Sequence, residues 1–286
     1  MSETNAKSKS EAMSIVFRKM NFELEKKDTK KYWHGDSPFI TLFWSALSAA
    51  FPEGERFFMD SGRYYKKEIK DPVLKEQFAD FIRQEAHHTY QHKRLNSLVA
   101  GFDVDMEKYD GWFGWILNLV KDKIDPMKQL AVSVGLEHFT ANFAHQYLSN
   151  EKFTRGVDPE IKALWSWHAA EEIEHKGVLF DLYKEVGGGY FTRVIAMSLA
   201  WLIIIVMTLT AQFQMIAKDG NQWNVRDNLK GLWYLFGYGG LLTNMMPEFF
   251  RYFKPSFHPW DLDDQNYIDA WFEDNSDYVT NLPPAG

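Results

Sequence analysis

A chain of 286 residues, 45% hydrophobic and 16% aromatic, carries enough apolar material for one large packed domain or two ordinary ones. Its formal net charge of -7, from 32 basic and 39 acidic residues, offers no field for holding a phosphate backbone and argues against nucleic acid as a partner. The chain has no cysteine, which excludes disulfides, zinc–thiolate sites and iron–sulfur clusters and leaves only oxygen and nitrogen ligands for any metal it holds.

Residues 1–34, rich in Ser, Lys and Glu, read as a polar N-terminal arm without the apolar core of a signal peptide, which points to a cytoplasmic start. The first helix signal is "HGDSPFITLFW": Ser37 can cap, Pro38 suits the first turn, and helical periodicity runs to about residue 69 with a kink expected at Pro52. Three further helices open on Asp-Pro, at Asp71, Asp125 and Asp158, where the carboxylate accepts from first-turn amides and the proline needs no donor. They are expected over 72–99, 126–149 and 159–185, stopping at Gly101 and at the Gly187-Gly188-Gly189 run, and each is roughly 35–40 Å long. Between the second and third, "GWFGWILNLVKDKI" (111–124) reads as a short amphipathic crossover segment. No stretch alternates like a strand, so the expected fold is all-α, a four-helix bundle over 35–190.

An acidic residue on a helix's apolar stripe needs a reason for its burial, whereas one on the polar face needs none. In the first helix Trp44, Ser48, Phe51, Glu55, Phe58, Gly62 and Tyr65 share a stripe with Glu55 as its one carboxylate, while Glu53 aligns with Arg56 and Asp60. In the second, Phe78, Phe81, Glu85, His88 and His92 share a face, with His87 pointing elsewhere. In the third, Glu137 is the acidic member of Leu130, Val134, Ala141 and Ala144, and in the fourth Leu164, His168, Glu172, His175 and Leu179 form one face from which Glu171 and Glu174 fall away. The set is Glu55; Glu85 with His88; Glu137; Glu172 with His175. Four unpaired carboxylates in one core are costly without cations, and two divalent metals supply the missing charge. One Glu from each of two helices and a Glu-x-x-His from each of the other two is the arrangement of bundle di-iron and di-manganese carboxylate proteins.

With these residues in place the chain resembles the ferritin-like di-iron carboxylate superfamily. More narrowly, "FPEGERFF", "RQEAHHTYQH", "GLEHFTANF" and "WHAAEEIEHKGVLFDLY" look like the bacterial family labelled predicted metal-dependent hydrolases, over roughly residues 35 to 260. The run His168-x-x-x-Glu172-x-x-His175 is similar to that of di-iron N-oxygenases, in which an added histidine binds one iron. That resemblance would make His168 a seventh ligand, and a core histidine bonded to a neighbour is the other reading. His92, one turn beyond His88, reads as a supporting or structural neighbour of the metals, and His138 and His145 as structural.

The ligand types suit two irons, with manganese as the alternative. The expectation is a di-iron oxidase or oxygenase acting on a lipophilic substrate with O2, its electrons coming from a reductase or the substrate. Two alternatives stand beside it: a two-metal hydrolase of a phosphate or carboxylic ester, and a non-catalytic ferritin-like metal binder.

The region 191–250 reads as an apolar helical hairpin. Val194 to Ala217 runs 24 residues without a charge, long enough to cross a bilayer. "GLWYLFGYGGLLTNMMP" (231–247) is interrupted by Gly237, Gly239 and Gly240 and either returns through the membrane or lies on it. The expected place is the cytoplasmic face of a bacterial cell membrane, or the cytoplasm if both helices are buried against the bundle. Residues 251–286 form an acidic, aromatic tail expected to pack across the bundle, and the sequence leaves the oligomeric state open, a homodimer included.

Overall fold

A computed structural model describes residues 3–25 and 28–280; the extremes of the expected arm and tail, and residues 26–27, lie outside the described residues. The fold is all-α, with no β-strand among the described residues. After a short α1 (Glu3–Ala12), the core is built from α2 (Pro38–Tyr65), α3 (Pro72–Ala100), α5 (Pro126–Ser149) and α6 (Pro159–His175), with α4 (Met106–Lys123) packed on α2 as the crossover.

The helices start where the caps place them. Ser37 accepts from the Ile40 amide, Asp71 from Val73 and Leu74, Asp125 from Lys128, and Asp158 from Glu160 and Ile161. Each cap contributes about 1 kcal/mol. Pro52 is accommodated inside a continuous α2. The fourth expected helix, 159–185, is two: α6 ends at His175 and α7 spans Val178–Glu185. At the break the Lys176 side chain is buried against Asp264, and a Cβ on Gly177 would lie 2.5 Å from Ser10 Oγ and 3.1 Å from Trp260 Nε1. Lys176 and Gly177 keep right-handed helical dihedrals, and segments distant in sequence, at Ser10 and Trp260, lie against the break.

The N-terminal segment lies along α3. Gln77, Gln84 and Gln91, spaced seven apart, donate to the carbonyls of Ser10 and Met13, of Val16, and of Met20. Ile15, Met20, Phe22 and Leu24 are buried as a result. At the other end α11 (Gln265–Asp274) packs on α6 through Ile268 and Trp271.

The long apolar helix is α8 (Tyr190–Lys218), the one described helix long and apolar enough to cross a membrane, with 44% of its most apolar window buried. Its inner face lies on α5 and α2: Trp201 Nε1 donates to Gly135 O (3.0 Å), and a Cβ on Gly135 would come within 2.6 Å of Met197 Cα. The second apolar stretch forms α9 (Val225–Phe236) and α10 (Leu241–Arg251), broken at the glycines 237, 239 and 240, with α9 against α2 and α10 against α5.

Candidate metal centre

The four core helices bring all seven sequence-derived candidates together: Glu55 from α2, Glu85 and His88 from α3, Glu137 from α5, and His168, Glu172 and His175 from α6. None is more than 2% exposed. One ligand atom each from Glu85, His88, Glu172 and His175 lies within 4.8 Å of the others, and Glu55, His88 and His168 form a second such group. Glu137 joins through His175, Oε2 lying 3.3 Å from Nδ1, and the opposite ring nitrogen of His175 lies 3.1 Å from Glu85 Oε1. His168 Nε2 is 2.9 Å from Glu172 Oε1 and 3.7 Å from Glu55 Oε1.

Many of these polar atoms have no hydrogen-bond partner. Both oxygens of Glu85 and of Glu137, Glu55 Oε1, Glu172 Oε2, His88 Nδ1 and both nitrogens of His175 are buried without one. Such orphans are rare in folded proteins and each asks for an explanation. Burial pushes the Glu55 and Glu85 carboxyls far above the usual range, with Glu172 and Glu137 adding to it, and raises Glu137 to about 7. Burial would lower His175, but Glu137, with Glu172 and Glu171 adding to it, raises it to about 9.

Hydrogen-bond geometry fixes the tautomer of His168. Asn96 Nδ2 donates to the Ser48 carbonyl, so Asn96 Oδ1 is the atom that accepts the Ser48 hydroxyl proton at 2.7 Å. Ser48 has no second proton, so His92 Nδ1–H donates to Ser48 Oγ (2.9 Å) and His92 Nε2 accepts from His168 Nδ1–H (2.7 Å). His168 Nε2 is then a bare lone pair facing the oxygens of Glu172 and Glu55. Acceptors do not face one another at 2.9 Å without a cation or a proton between them. His92, expected as a supporting neighbour, is the residue that aims this ring.

His88 is held from outside by a residue that sequence periodicity sets aside. Its Nε2–H donates to Glu171 Oε2 at 3.0 Å, which turns Nδ1 toward Glu85 and Glu172. Burial raises Glu171, and the Arg18 guanidinium 3.7 Å away draws it back. Arg18 also grips Glu174 through both terminal guanidinium nitrogens, and Gln84 donates to that same carboxylate. Glu171 and Glu174 are buried because the N-terminal segment and α11 cover the side of α6 expected to face water. No one-helix pattern signals this; the Gln77, Gln84 and Gln91 ladder is the trace of it in the sequence. Thr89 Oγ1 donates to Glu55 Oε2 (2.8 Å) and leaves Oε1 free.

His87 accepts from the Met20 amide, His138 bonds the Glu248 carbonyl, and His145 lies 3.4 Å from Asp264, so these three face other groups. Beside His168 and Glu172 lies a hollow of about 10 Å³, walled by Phe51, Phe143 and Trp165, with room for about one water. The donor set, four carboxylates and three imidazoles with unsatisfied atoms converging, fits divalent cations that take oxygen and nitrogen ligands.

Residues 16–263 match the family model described as predicted metal-dependent hydrolase. No curated protein and no solved structure matches the chain.

Proposed function

The chain belongs to the family of predicted metal-dependent hydrolases, and on that premise we propose that Glu55, Glu85, His88, Glu137, His168, Glu172 and His175 hold two divalent metal ions that make it an enzyme acting on an ester or phosphate bond of a lipophilic substrate. The observation that carries the reading is the convergence of buried, unpartnered carboxylate and imidazole atoms from four helices. Two divalent ions balance the charge of the four carboxylates. When bound, such a pair supplies Lewis-acid polarisation and an activated water or, if the metal is iron, redox chemistry with O2.

The chain's own residues prepare that chemistry. Ser48 and His92 hold His168 with Nε2 inward, Glu171 holds His88 with Nδ1 inward, and Thr89 occupies one oxygen of Glu55. Partners of this kind fix ring orientation and raise ligand basicity. Phe51, Phe143 and Trp165 wall the hollow beside His168, and their apolar surface suits a substrate with an apolar body. At about 10 Å³ the hollow must widen to admit one, so substrate entry requires movement of these rings.

A second reading, an oxidase or oxygenase with a reductase as electron donor, is favoured by one feature: the ligands sit deep in a helix bundle in the Glu and Glu-x-x-His pattern of ferritin-like di-iron and di-manganese proteins. The separating experiment uses protein loaded with iron, manganese or zinc. The hydrolase reading expects metal-dependent cleavage of nitrophenyl esters or phosphates without oxygen, lost in Glu172→Ala. No cleavage with any metal, together with O2 uptake by the ferrous protein, overturns it in favour of oxidation.

A further inference from the structure

The layer formed by α8, α9 and α10 is inverted: its inner side packs on α2 and α5, and its outer side is apolar and exposed. On α8 the outward stripe is Ile195, Leu199, Leu202 and Val206, each at least half exposed. On α9, Leu229, Leu232, Trp233 and Phe236 lie on the outward arc while Tyr234 and Leu235 point into the core. Phe250 and Met246 continue the surface on α10, which meets α8 through the Phe249–Trp201 contact. Scattered exposed apolar residues are ordinary, but exposed apolar arcs on three successive helices that all pack inward on α2 or α5 mark an interaction site.

The charges around this face are not those of the whole chain. Lys218, Arg226, Lys230 and Lys254 are exposed and make no ion pair among the described residues. The acids of the same stretch are engaged: Asp219 with Lys31, Asp227 with Ser37 and the Phe39 amide, and Glu248 with Arg251. At one edge is a pocket of about 280 Å³ whose lining includes Lys152, Arg155 and Lys230 but no carboxylate, with Trp233 and Tyr234 as its aromatic wall. Arg155 likewise has no ion-pair partner among the described residues. A protein of net charge -7 thus presents an apolar face rimmed by free cations.

We infer that this face seats the protein on an anionic lipid bilayer, with the outer sides of α8, α9 and α10 in the headgroup–acyl boundary and a lipid phosphate in the Lys152–Arg155–Lys230 pocket. The helices lie on the membrane and do not cross it. A span would have to withdraw α8 from α5, where Gly135 and Met197 are in backbone contact and Trp201 is bonded. Helices with an apolar face containing Trp, Phe and Leu and a basic flank bind in this interfacial manner, and Trp and Tyr favour headgroup depth. The inference is independent of which reaction the metal centre performs.

The test is flotation of purified full-length protein with phosphatidylcholine vesicles, with and without phosphatidylglycerol. The expected result is binding that requires the anionic lipid, weakens with salt, and is released by alkaline carbonate. Arg155→Gln with Lys230→Gln should weaken it on the order of 30-fold, at roughly fivefold per cation near an anionic surface, and Leu229→Asp should weaken it further. Both variants should keep helical circular dichroism and the wild-type metal content, so failure at the membrane is read apart from failure at the metals. Four results overturn the inference: equal binding to neutral vesicles, unchanged binding by the double Gln variant, carbonate resistance with 194–217 protected from protease, or a stable dimer that ignores both vesicles.

Discussion

The interior around His168 and the outer face of α8–α10 reverse the usual distribution of side chains in opposite senses. Inside, carboxylates and imidazoles are shut away from water with their polar atoms unpaired; outside, Leu, Ile, Phe and Trp stand in water with apolar neighbours only on one side. Both are unfavourable for the chain alone, and both become favourable with a partner of the right character, a cation for the first and a lipid surface for the second. Local violations of the burial rules in a chain that otherwise obeys them are the places where function is expected.

The largest expected effect joins the two regions. Gly135→Leu drives a side chain into the Met197 backbone, so α8 must move off α5, the helix that carries Glu137. Loss of stability on the order of 3 kcal/mol, read by urea denaturation, is expected with loss of metal; an unchanged denaturation midpoint would separate the outer layer from the centre. Next, Glu85→Met removes a buried carboxylate that has no hydrogen bond. The metal-free variant should be more stable than metal-free wild type, by about 1–3 kcal/mol for the unbonded polar group removed, yet gain less on adding metal. A less stable metal-free variant would mean that Glu85 serves the fold and not a cation.

His92→Ala sharpens the interior further by releasing the His168 tautomer. Metal affinity is expected to fall about 10–100-fold with the fold intact, as competition against a chelator would measure; unchanged affinity would reduce His92 to packing. The smallest effect is a pH dependence of the metal-free protein. Glu137, raised by burial from 4.5 to about 7, and His175, raised by Glu137 from 6.5 to about 9, hold protons in the folded state that the unfolded chain has released. Their stabilising protonation is complete below the unfolded pKa values and is lost as pH rises through the folded ones. Glu137's share is lost between about pH 4.5 and 7 and His175's between about pH 6.5 and 9, so thermal stability of the metal-free protein should decline from about pH 6.5 to 9, chiefly through His175, and metal should flatten the decline. A rise over that window in metal-free protein would contradict the assignment.

The sequence makes the centre legible because the buried cluster is built on regular helices. Periodicity alone places Glu55, Glu85, Glu137 and Glu172 inward, and three Asp-Pro dipeptides mark the helix starts at Asp71, Asp125 and Asp158. What surrounds the centre is less legible, because it comes from contacts distant in sequence. Arg18 reaches Glu174 from 156 residues away, and Ser10 and Trp260 close on Gly177, at the break after His175, from opposite ends of the sequence. Glu171 sits off the apolar stripe of α6, and no rule confined to one helix could reveal that a second layer buries that side. The apolar helix α8 reads correctly as long enough to span a membrane, but its inner contacts with α5, which make it a layer of the fold, depend on Gly135 and Trp201 meeting across 66 residues.

The central claim is that the buried cluster exists for metal, and its most direct test is metal content by mass spectrometry. It compares full-length protein purified without added metal with Glu85→Ala and Glu172→Ala variants prepared alongside, their helicity checked by circular dichroism. About two metal ions per chain in the wild type, with at least one lost from each folded variant, is the predicted result. A metal-free wild type that takes up none from solution, or full metal in both variants, would contradict the account.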